Sequence, residues 1–395
     1  MEFSRRMVLQ TAGGAGLALM GTGGLFSLSR TPEKALQAWH AIDEATTGDI
    51  RLDALRYAIL APNPHNRQPW QIRLSGTDIA TLCCDLDRRL PETDPNDRQT
   101  TIGFGCFIEL ARIAAAERGV RMEWTEFPDG EATESLDRRP IAVLHFVSDP
   151  TTVKDVLFPF IPHRRSNRAP FDLSRSPAPE VLAELAGQPT FGAQIVASSE
   201  PDLVAALRRL TWNAFSIEAA TRRTWLESVN LTRIGKSEIE AQPDGIAVGG
   251  PLLDALALAG LVSRQQMART DSMAYNSGLD LVQSAMAATP AYGWVITNGN
   301  TRRDQLAAGR AYARMNLAAT RAGLGFHPNS QSLQEYPEMA ATLRDIHELL
   351  DVRSGRRLQM LVRLGYAAPA PAAPRWPLAT HLVNSRCPIA SRSAS

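Results

Sequence analysis

Between Ser148 and Ser176 the sequence turns polar and rich in proline, separating two long stretches that each show helical and strand-like periodicity. A chain of 395 residues divided in this way builds its core from two units, residues 31–150 and 151–385, rather than from one uninterrupted sheet or bundle. In the first unit Thr31 as N-cap and Pro32 as first helical residue open a helix, and a second follows from Asp49, with Leu52, Leu55, Ile59 and Leu60 on one face. Residues 71–74 and 79–82 read as a hairpin. A Gly103-Phe-Gly105 turn then leads into an Ala-rich helix ending at Gly119, and strands follow at 121–126 and 141–147. The second unit carries helices near 178–186, 203–230 and 250–267, a strand at 292–297, a long helix from 302 to 323, a helix near 337–350 and a strand at 358–365. The fold class this predicts is α+β, with helices packed around a short-stranded mixed sheet, before a tail over 386–395.

Ahead of both units, Arg5 and Arg6 precede a stretch of Gly, Ala and Leu that runs to about Phe26. An arginine pair before a glycine-diluted apolar run is the pattern of a twin-arginine export signal, and its glycines make it a poor membrane span. The expectation is an extracytoplasmic or periplasmic protein that travels already folded, with a cofactor bound. Removal of the segment and its retention as an anchor both stay open, and any membrane contact is expected only through it. Lys plus Arg number 42 and Asp plus Glu 41, so no strong field is available to hold a nucleic acid. The 4 cysteines match no zinc spacing, and no metal site is expected.

Two segments carry the chemistry. The first, Ala61-Pro-Asn-Pro-His-Asn-Arg-Gln-Pro-Trp70, stiffens a helix-ending loop with Pro62 and Pro64, and it offers the amides of Asn63, Asn66 and Gln68. Such amides suit a planar heterocycle edged with C=O and N–H groups. The second, Arg164-Arg-Ser-Asn-Arg168, puts three guanidiniums and the Ser166 hydroxyl in five residues, a set suited to a phosphate dianion. Taken singly, each is also compatible with an ordinary capped loop or a solvated basic turn. There is no Gly-x-Ser-x-Gly elbow, no His-Glu-x-x-His and no phosphate loop, so hydrolase and NTPase chemistry have no support. His65 and His163 lie nearest the two segments.

Together the segments resemble the nitroreductase family of flavin enzymes. Arg164, Ser166 and Arg168 match its Arg-x-Ser-x-Arg/Lys motif. Ala61, Pro62, Asn66, Gln68, Pro69 and Trp70 match its Ala-Pro-Ser-x-x-Asn-x-Gln-Pro-Trp loop, with Asn63 in place of the family's Ser. Asn329 and Ser330 fall where a family loop touches the flavin, and Arg375 resembles its C-terminal phosphate-binding Arg. The motif order is reversed, since the loop here comes roughly 100 residues before the Arg motif. In the family's homodimer each flavin is held by the Arg motif of one subunit and the loop of the other. The resemblance therefore implies two nitroreductase-like halves fused in one chain, as in the Acg-type branch, forming one complete site in a single-chain pseudo-dimer. Residues 211–250 are a candidate lid.

The resemblance implies FMN as cofactor. Arg164, Arg168 and Arg375 would neutralise its phosphate, Ser166 would donate a hydrogen bond, and Pro62, Asn63, Pro64 and Asn66 would line the ring, while catalytic acids or bases remain unassigned. Two functions follow: an exported FMN-dependent oxidoreductase passing electrons to a small acceptor such as a nitroaromatic or quinone, with its donor unassigned, or a flavin-sequestering, stress-associated binding protein with a covered site. Substrate, donor, lid position and oligomeric state, a monomer included, stay open.

Overall fold

The computed structural model describes residues 31–384, so the arginine pair, the apolar leader and the tail lie outside the described residues. In the first unit α1 (Ile50–Ala58) is capped by Asp49, whose side chain accepts the Arg51 N–H. There follow the hairpin β1 (Trp70–Ser75) and β2 (Ile79–Cys84), then α2 (Arg98–Glu117), β3 (Val120–Glu126) and β4 (Ala142–Ser148). The second unit begins with α3 (Pro179–Ala186) and β5 (Gln194–Ser198). It continues through a mostly helical insert: α4 (Pro201–Ala220), α5 (Arg222–Asn230), β6 (Thr232–Ile234), α6 (Gly235–Ala241), β7 (Ile246–Val248), α7 (Pro251–Leu258), α8 (Arg264–Met267) and α9 (Met273–Ala287). It closes with β8 (Ala291–Thr297), α10 (Arg302–Arg321), β9 (Gly325–Pro328), α11 (Ala340–Leu349) and β10 (Arg357–Gly365).

The single mixed sheet expected from the sequence is replaced by two four-stranded sheets, each wholly antiparallel, with a small parallel pair of β6 and β7 in the insert. The four-stranded sheets run β1-β2-β4-β3 and β5-β8-β10-β9, the same order when each set of four is counted along the chain. In both, a 20-residue helix joins the second strand to the third, α2 in one and α10 in the other. The difference lies between the first two strands: β1 and β2 are joined by a tight turn, whereas β5 and β8 are separated by the whole insert.

α2 and α10 cross at glycine. A Cβ on Gly105 would run into the Leu306 carbonyl oxygen, and one on Gly309 into that of Ile102, so no other residue permits this approach. The pairs Ile102 and Gly105, and Leu306 and Gly309, hold the same positions in their helices. The pattern extends to the first turns, where Arg98 donates to the Leu333 and Gln359 carbonyls and Arg302 to those of Ala132 and Glu134, each reaching into the opposite unit. One hydrophobic core runs through both units, from Ala54 and Trp70 through Phe104 and Phe107 to Tyr312, Phe326 and Val362. A second core lies under the insert, joining Val204 and Leu207 to Trp294, Ile346 and Leu361.

Gly103-Phe-Gly105 is not a turn. It lies inside α2, where Gly105 serves the helix crossing. The helix expected over 203–230 breaks at Thr221, which adopts extended backbone, and the one expected over 250–267 breaks at Gly260, whose φ is +73°. Thr31 caps nothing, because a 3-10 turn over Glu33–Leu36 begins after Pro32.

Candidate functional site

The loop leaving α1 is held in an unusual backbone. His65, Asn66 and Gln68 have φ of 46°, 52° and 51°, left-handed values that non-glycine residues adopt at a cost. The surroundings hold this loop on several sides. Asn63 Oδ1 accepts the Gln68 N–H at 2.7 Å, and Asn63 Nδ2 donates to the Ala61 carbonyl at 3.1 Å. Gln68, fully buried, donates from Nε2 to the Pro243 carbonyl at 2.7 Å and accepts the Trp376 N–H at 2.9 Å. Asn66 Nδ2 donates to the Pro374 carbonyl at 2.9 Å, its Oδ1 accepts from the Arg375 guanidinium, and its carbonyl accepts the Gly245 N–H at 3.2 Å. Insert and C-terminal segment thus clamp the loop from outside. The amides that the sequence offers to a heterocycle each have protein partners at both ends, while Pro62 is buried and Pro64 half-buried.

The Arg motif meets this loop. Arg164, buried, donates from Nη2 to the Leu60 carbonyl at 2.9 Å, and Arg375, also buried, turns its guanidinium to the Leu60 and Ala61 carbonyls. Burial lowers the pKa of Arg164 to about 10, still above neutral pH, and pushes that of Arg375 well down. Arg168 is exposed, and desolvation by its surroundings lowers its pKa too. It acts electrostatically on His65, on the Tyr312 phenol of α10 and on His327 of β9. Arg165 and Arg375 lie over the Trp39 ring, at 4.6 and 5.7 Å from its centroid. Ser166 is half-buried and His163 exposed.

Among the described residues no carboxylate forms an ion pair with Arg164, Arg165, Arg168 or Arg375. Buried positive charge without a counter-charge is costly, and the arrangement fits a dianion such as a phosphate ester. Nε of Arg164 and Nε of Arg375 are buried without hydrogen-bond partners, as are both ends of the Asn329 and Asn316 side-chain amides. These are donors and acceptors that a polar ligand would satisfy. Burial holds the His65 pKa at about 4, with Arg168 and then Arg67 adding to the shift, so its imidazole is neutral at pH 7. Its Nε2 lies 3.0 Å from Ser228 Oγ of α5 in the insert.

The sequence-derived residues converge unequally. Asn329 is fully buried and pinned by its N–H to the Leu361 carbonyl, three residues beyond Phe326, whose carbonyl accepts the Asn167 N–H. Ser330 turns to Gln99 of α2 at 2.8 Å, one helical turn before Gly103, where an added Cβ would lie 3.2 Å from that of Asn63. Neither Asn329 nor Ser330 makes a hydrogen bond to the 62–68 loop. Sequence reasoning missed Tyr312, Asn316 and His327, which sit within regular helix or strand patterns. It also missed Asp244 of the insert, which takes Arg67, Arg88 and Arg233 at 2.6, 3.1 and 2.8 Å and ties the insert down beside the loop.

The equivalent place on the other side of the helix crossing is closed. By the same step that relates Gly105 to Gly309, Cys106 corresponds to Arg310 and Asn316 to Arg112. There the fully buried Glu109 accepts from Arg112, Arg310 and Arg314 at 2.8, 3.0 and 3.1 Å, Asp155 takes Arg112 and Arg314, and Arg310 lies over the Phe191 and Trp124 rings. Each of these three guanidiniums has a carboxylate partner, in contrast to the Arg164 cluster.

The model of the Nitroreductase family matches residues 161–366, just over half the chain, beginning immediately before the Arg motif and excluding the 61–70 loop. A Mycobacterium tuberculosis protein named as an NAD(P)H nitroreductase, acg, is 29% identical over 130 residues, 33% of this chain and 38% of its own, so the match spans little more than a third of that relative. Rv3131 of the same organism, also named as an NAD(P)H nitroreductase, is 26% identical over 346 residues, covering 84% of this chain and 92% of its own. Among solved structures, the FMN-dependent nitroreductase NfnB of Mycobacterium smegmatis in complex with NADPH is 18% identical, at a TM-score of 0.36 over 57% of this chain and 96% of that one. An iodotyrosine deiodinase bound to FMN and 3-iodo-L-tyrosine gives 16% and 0.34 over 56% and 95%. With its family model spanning more than half of it, the chain belongs to the nitroreductase family.

Proposed function

We propose that the protein is an FMN-dependent oxidoreductase of the nitroreductase type, with one flavin site built from the 62–68 loop of the first unit and the Arg164–Arg168 segment of the second. The observation that carries this reading is the cluster of guanidiniums without carboxylate partners beside a strained loop, with Nε of Arg164 and of Arg375 buried and unpartnered. Arg164, Arg168 and Arg375 would hold the phosphate, and Ser166 would add a hydrogen bond. FMN, when bound, supplies the electron or hydride transfer, and the chain supplies position and electrostatic bias. Pro62, Pro64 and the loop backbone orient the ring, while Asn63, Asn66 and Gln68 act one step back by fixing the loop. His65, kept neutral by burial and by Arg168, joins the insert through Ser228.

Identical strand order and the Gly105–Gly309 crossing support reading the chain as two fused halves with one working site. Acceptors are small molecules, with nitroaromatics and quinones the class considered. NAD(P)H, in the names of the mycobacterial relatives, is the first donor to test. We further read residues 1–30 as a twin-arginine signal and the protein as exported, on the sequence pattern alone. A second reading, a flavin-sequestering protein, is favoured by one observation: the insert closes on the loop through Pro243, Gly245 and Ser228, as a lid would. Anaerobic addition of NADH, NADPH or a reduced quinone, followed by a nitroaromatic or quinone acceptor, separates the two. Bleaching and recovery of the flavin absorbance supports the oxidoreductase, and a flavin inert to every donor supports sequestration.

A further inference from the structure

Cys83 of β2 is joined in a disulfide, while Cys84 beside it and Cys106 of α2 are buried free thiols. The chain has 4 cysteines, so within it the one partner left for Cys83 is Cys387, which lies outside the described residues. The two are separated by most of the chain, and their spacing in sequence gives no sign of a pair.

The described chain ends beside Cys83. After the short helix Leu378–His381, Leu382 forms a parallel bridge with Ile72 of β1, and the Val383 N–H donates to the Ile72 carbonyl at 2.9 Å. The C-terminal segment thus lies along β1, the edge strand of its sheet. Gln71, next to Ile72, is the cross-strand partner of Cys83. From Val383 across β1 to β2 is two strand spacings, about 10 Å. The four residues from Val383 to Cys387 reach about 13 Å when extended, which is enough to bring the two sulfurs together. The side on which Cys83 sits agrees. Ile72, Ala80, Leu82 and Cys84 belong to the main core, as does Cys106, so by the two-residue alternation of a strand Cys83 points to the opposite face of the hairpin. It is nevertheless only 1% exposed. Burial also raises the pKa of the Cys84 thiol well above its ordinary value, so Cys84 stays protonated and is a poor attacker of the bond next to it.

The segment tied down in this way is the one that clamps the 62–68 loop. Ahead of the bridge at Ile72, the Pro374 carbonyl accepts from Asn66, the Arg375 guanidinium turns to the Leu60 and Ala61 carbonyls, and the Trp376 N–H donates to Gln68. We propose that Cys83 and Cys387 form a disulfide latch that fastens the C-terminal segment to β2 and so keeps Pro374, Arg375 and Trp376 on the loop. In forming it, each thiol gives up its proton and one S–S bond is made. The two electrons pass by thiol–disulfide exchange to a small-molecule or protein disulfide, which is reduced to two thiols. Such a bond persists in an oxidising compartment. The proposal does not depend on whether flavin binds at the loop.

The test uses the full chain, incubated with oxidised glutathione, quenched in acid, alkylated in denaturant and digested without reductant. Mass spectrometry should find a peptide linking Cys83 to Cys387 in monomeric protein, lost on reduction and retained in Cys84→Ala. Cys387→Ser, a change outside the described fold, should leave circular dichroism unchanged while hydrogen exchange at the Val383 and Trp376 amides rises at least ten-fold. Reduction of the wild type should do the same. Three results would overturn the proposal: Cys83 and Cys387 both recovered as alkylated thiols, the link found only in a disulfide-joined dimer, or amide exchange at Val383 and Trp376 equal in wild type and Cys387→Ser.

Discussion

Arg164 Nη2 lies 2.9 Å from the Leu60 carbonyl, so a guanidinium of the second unit closes the end of a helix in the first. That contact joins two motifs roughly 100 residues apart in sequence, and it places a positive charge where the strained loop begins. Arg168, further along the same segment, makes no side-chain hydrogen bond or ion pair among the described residues and is exposed.

Arg168→Ala should therefore weaken FMN by about 10- to 100-fold, since a hydrogen bond to a charged group contributes about 1.5–3 kcal/mol. Riboflavin, lacking the phosphate, should lose much less. Titration of both flavins by fluorescence quenching checks this, and equal losses with the fold intact would remove Arg168 from the phosphate site.

The helix crossing predicts a sharp contrast between glycines. Gly309→Ala drives a Cβ into the Ile102 carbonyl and should cost about 3 kcal/mol or prevent folding. Gly278→Ala in α9 meets open space and should stabilise by up to about 1 kcal/mol through helix propensity alone. Urea denaturation midpoints of the two variants should move in opposite directions.

Through its buried histidines the protein should lose stability on acidification from pH 6.5 towards 4, opposed by a gain from Asp94 and Glu218, whose pKa values burial raises to about 6 and about 7. His65 and His381 both have folded pKa values of about 4, below their ordinary 6.5, chiefly because burial disfavours the charged ring. In that window the unfolded chain binds protons that the folded chain refuses, so stability present above pH 6.5 is lost as pH drops. Each histidine contributes on the order of 3 kcal/mol across it. In His65→Gln the denaturation midpoint should fall less, or rise more, between pH 6.5 and 4 than in wild type, and an unchanged difference between the two pH values would show that His65 is accessible to protons in the folded protein.

Export is tested at the leader. Replacing Arg5 and Arg6 together with Lys should leave folded protein in the cytoplasm if the pair is read by a twin-arginine translocase, and unchanged extracytoplasmic accumulation would contradict that reading.

The sequence made the hairpin of β1 and β2, the helix α10 and the strands β8 and β10 legible, because their periodicity reflects burial on one face or two. It did not reveal β5 or β9, which are short. Gly103 and Gly105 looked like punctuation because close packing against a helix 200 residues away leaves no local signal. The Arg and loop segments were legible as chemistry. The commitment of the Asn63, Asn66 and Gln68 amides to the protein was not, since their partners Pro243, Pro374 and Trp376 lie far along the chain. The unpaired amides of Asn316 and Asn329 were likewise visible only once burial was known.

On the proposed function each chain holds one FMN, bound where Arg164 and Arg168 meet the 62–68 loop, with the corresponding place at Glu109 and Arg310 taken up by its own ion pairs. The direct measurement is the visible spectrum of natively purified protein, followed by quantitation of the flavin released on denaturation. The protein should be yellow and take up FMN to one equivalent per chain and no further. A colourless protein that fails to quench added FMN, or one that binds two equivalents, would contradict it.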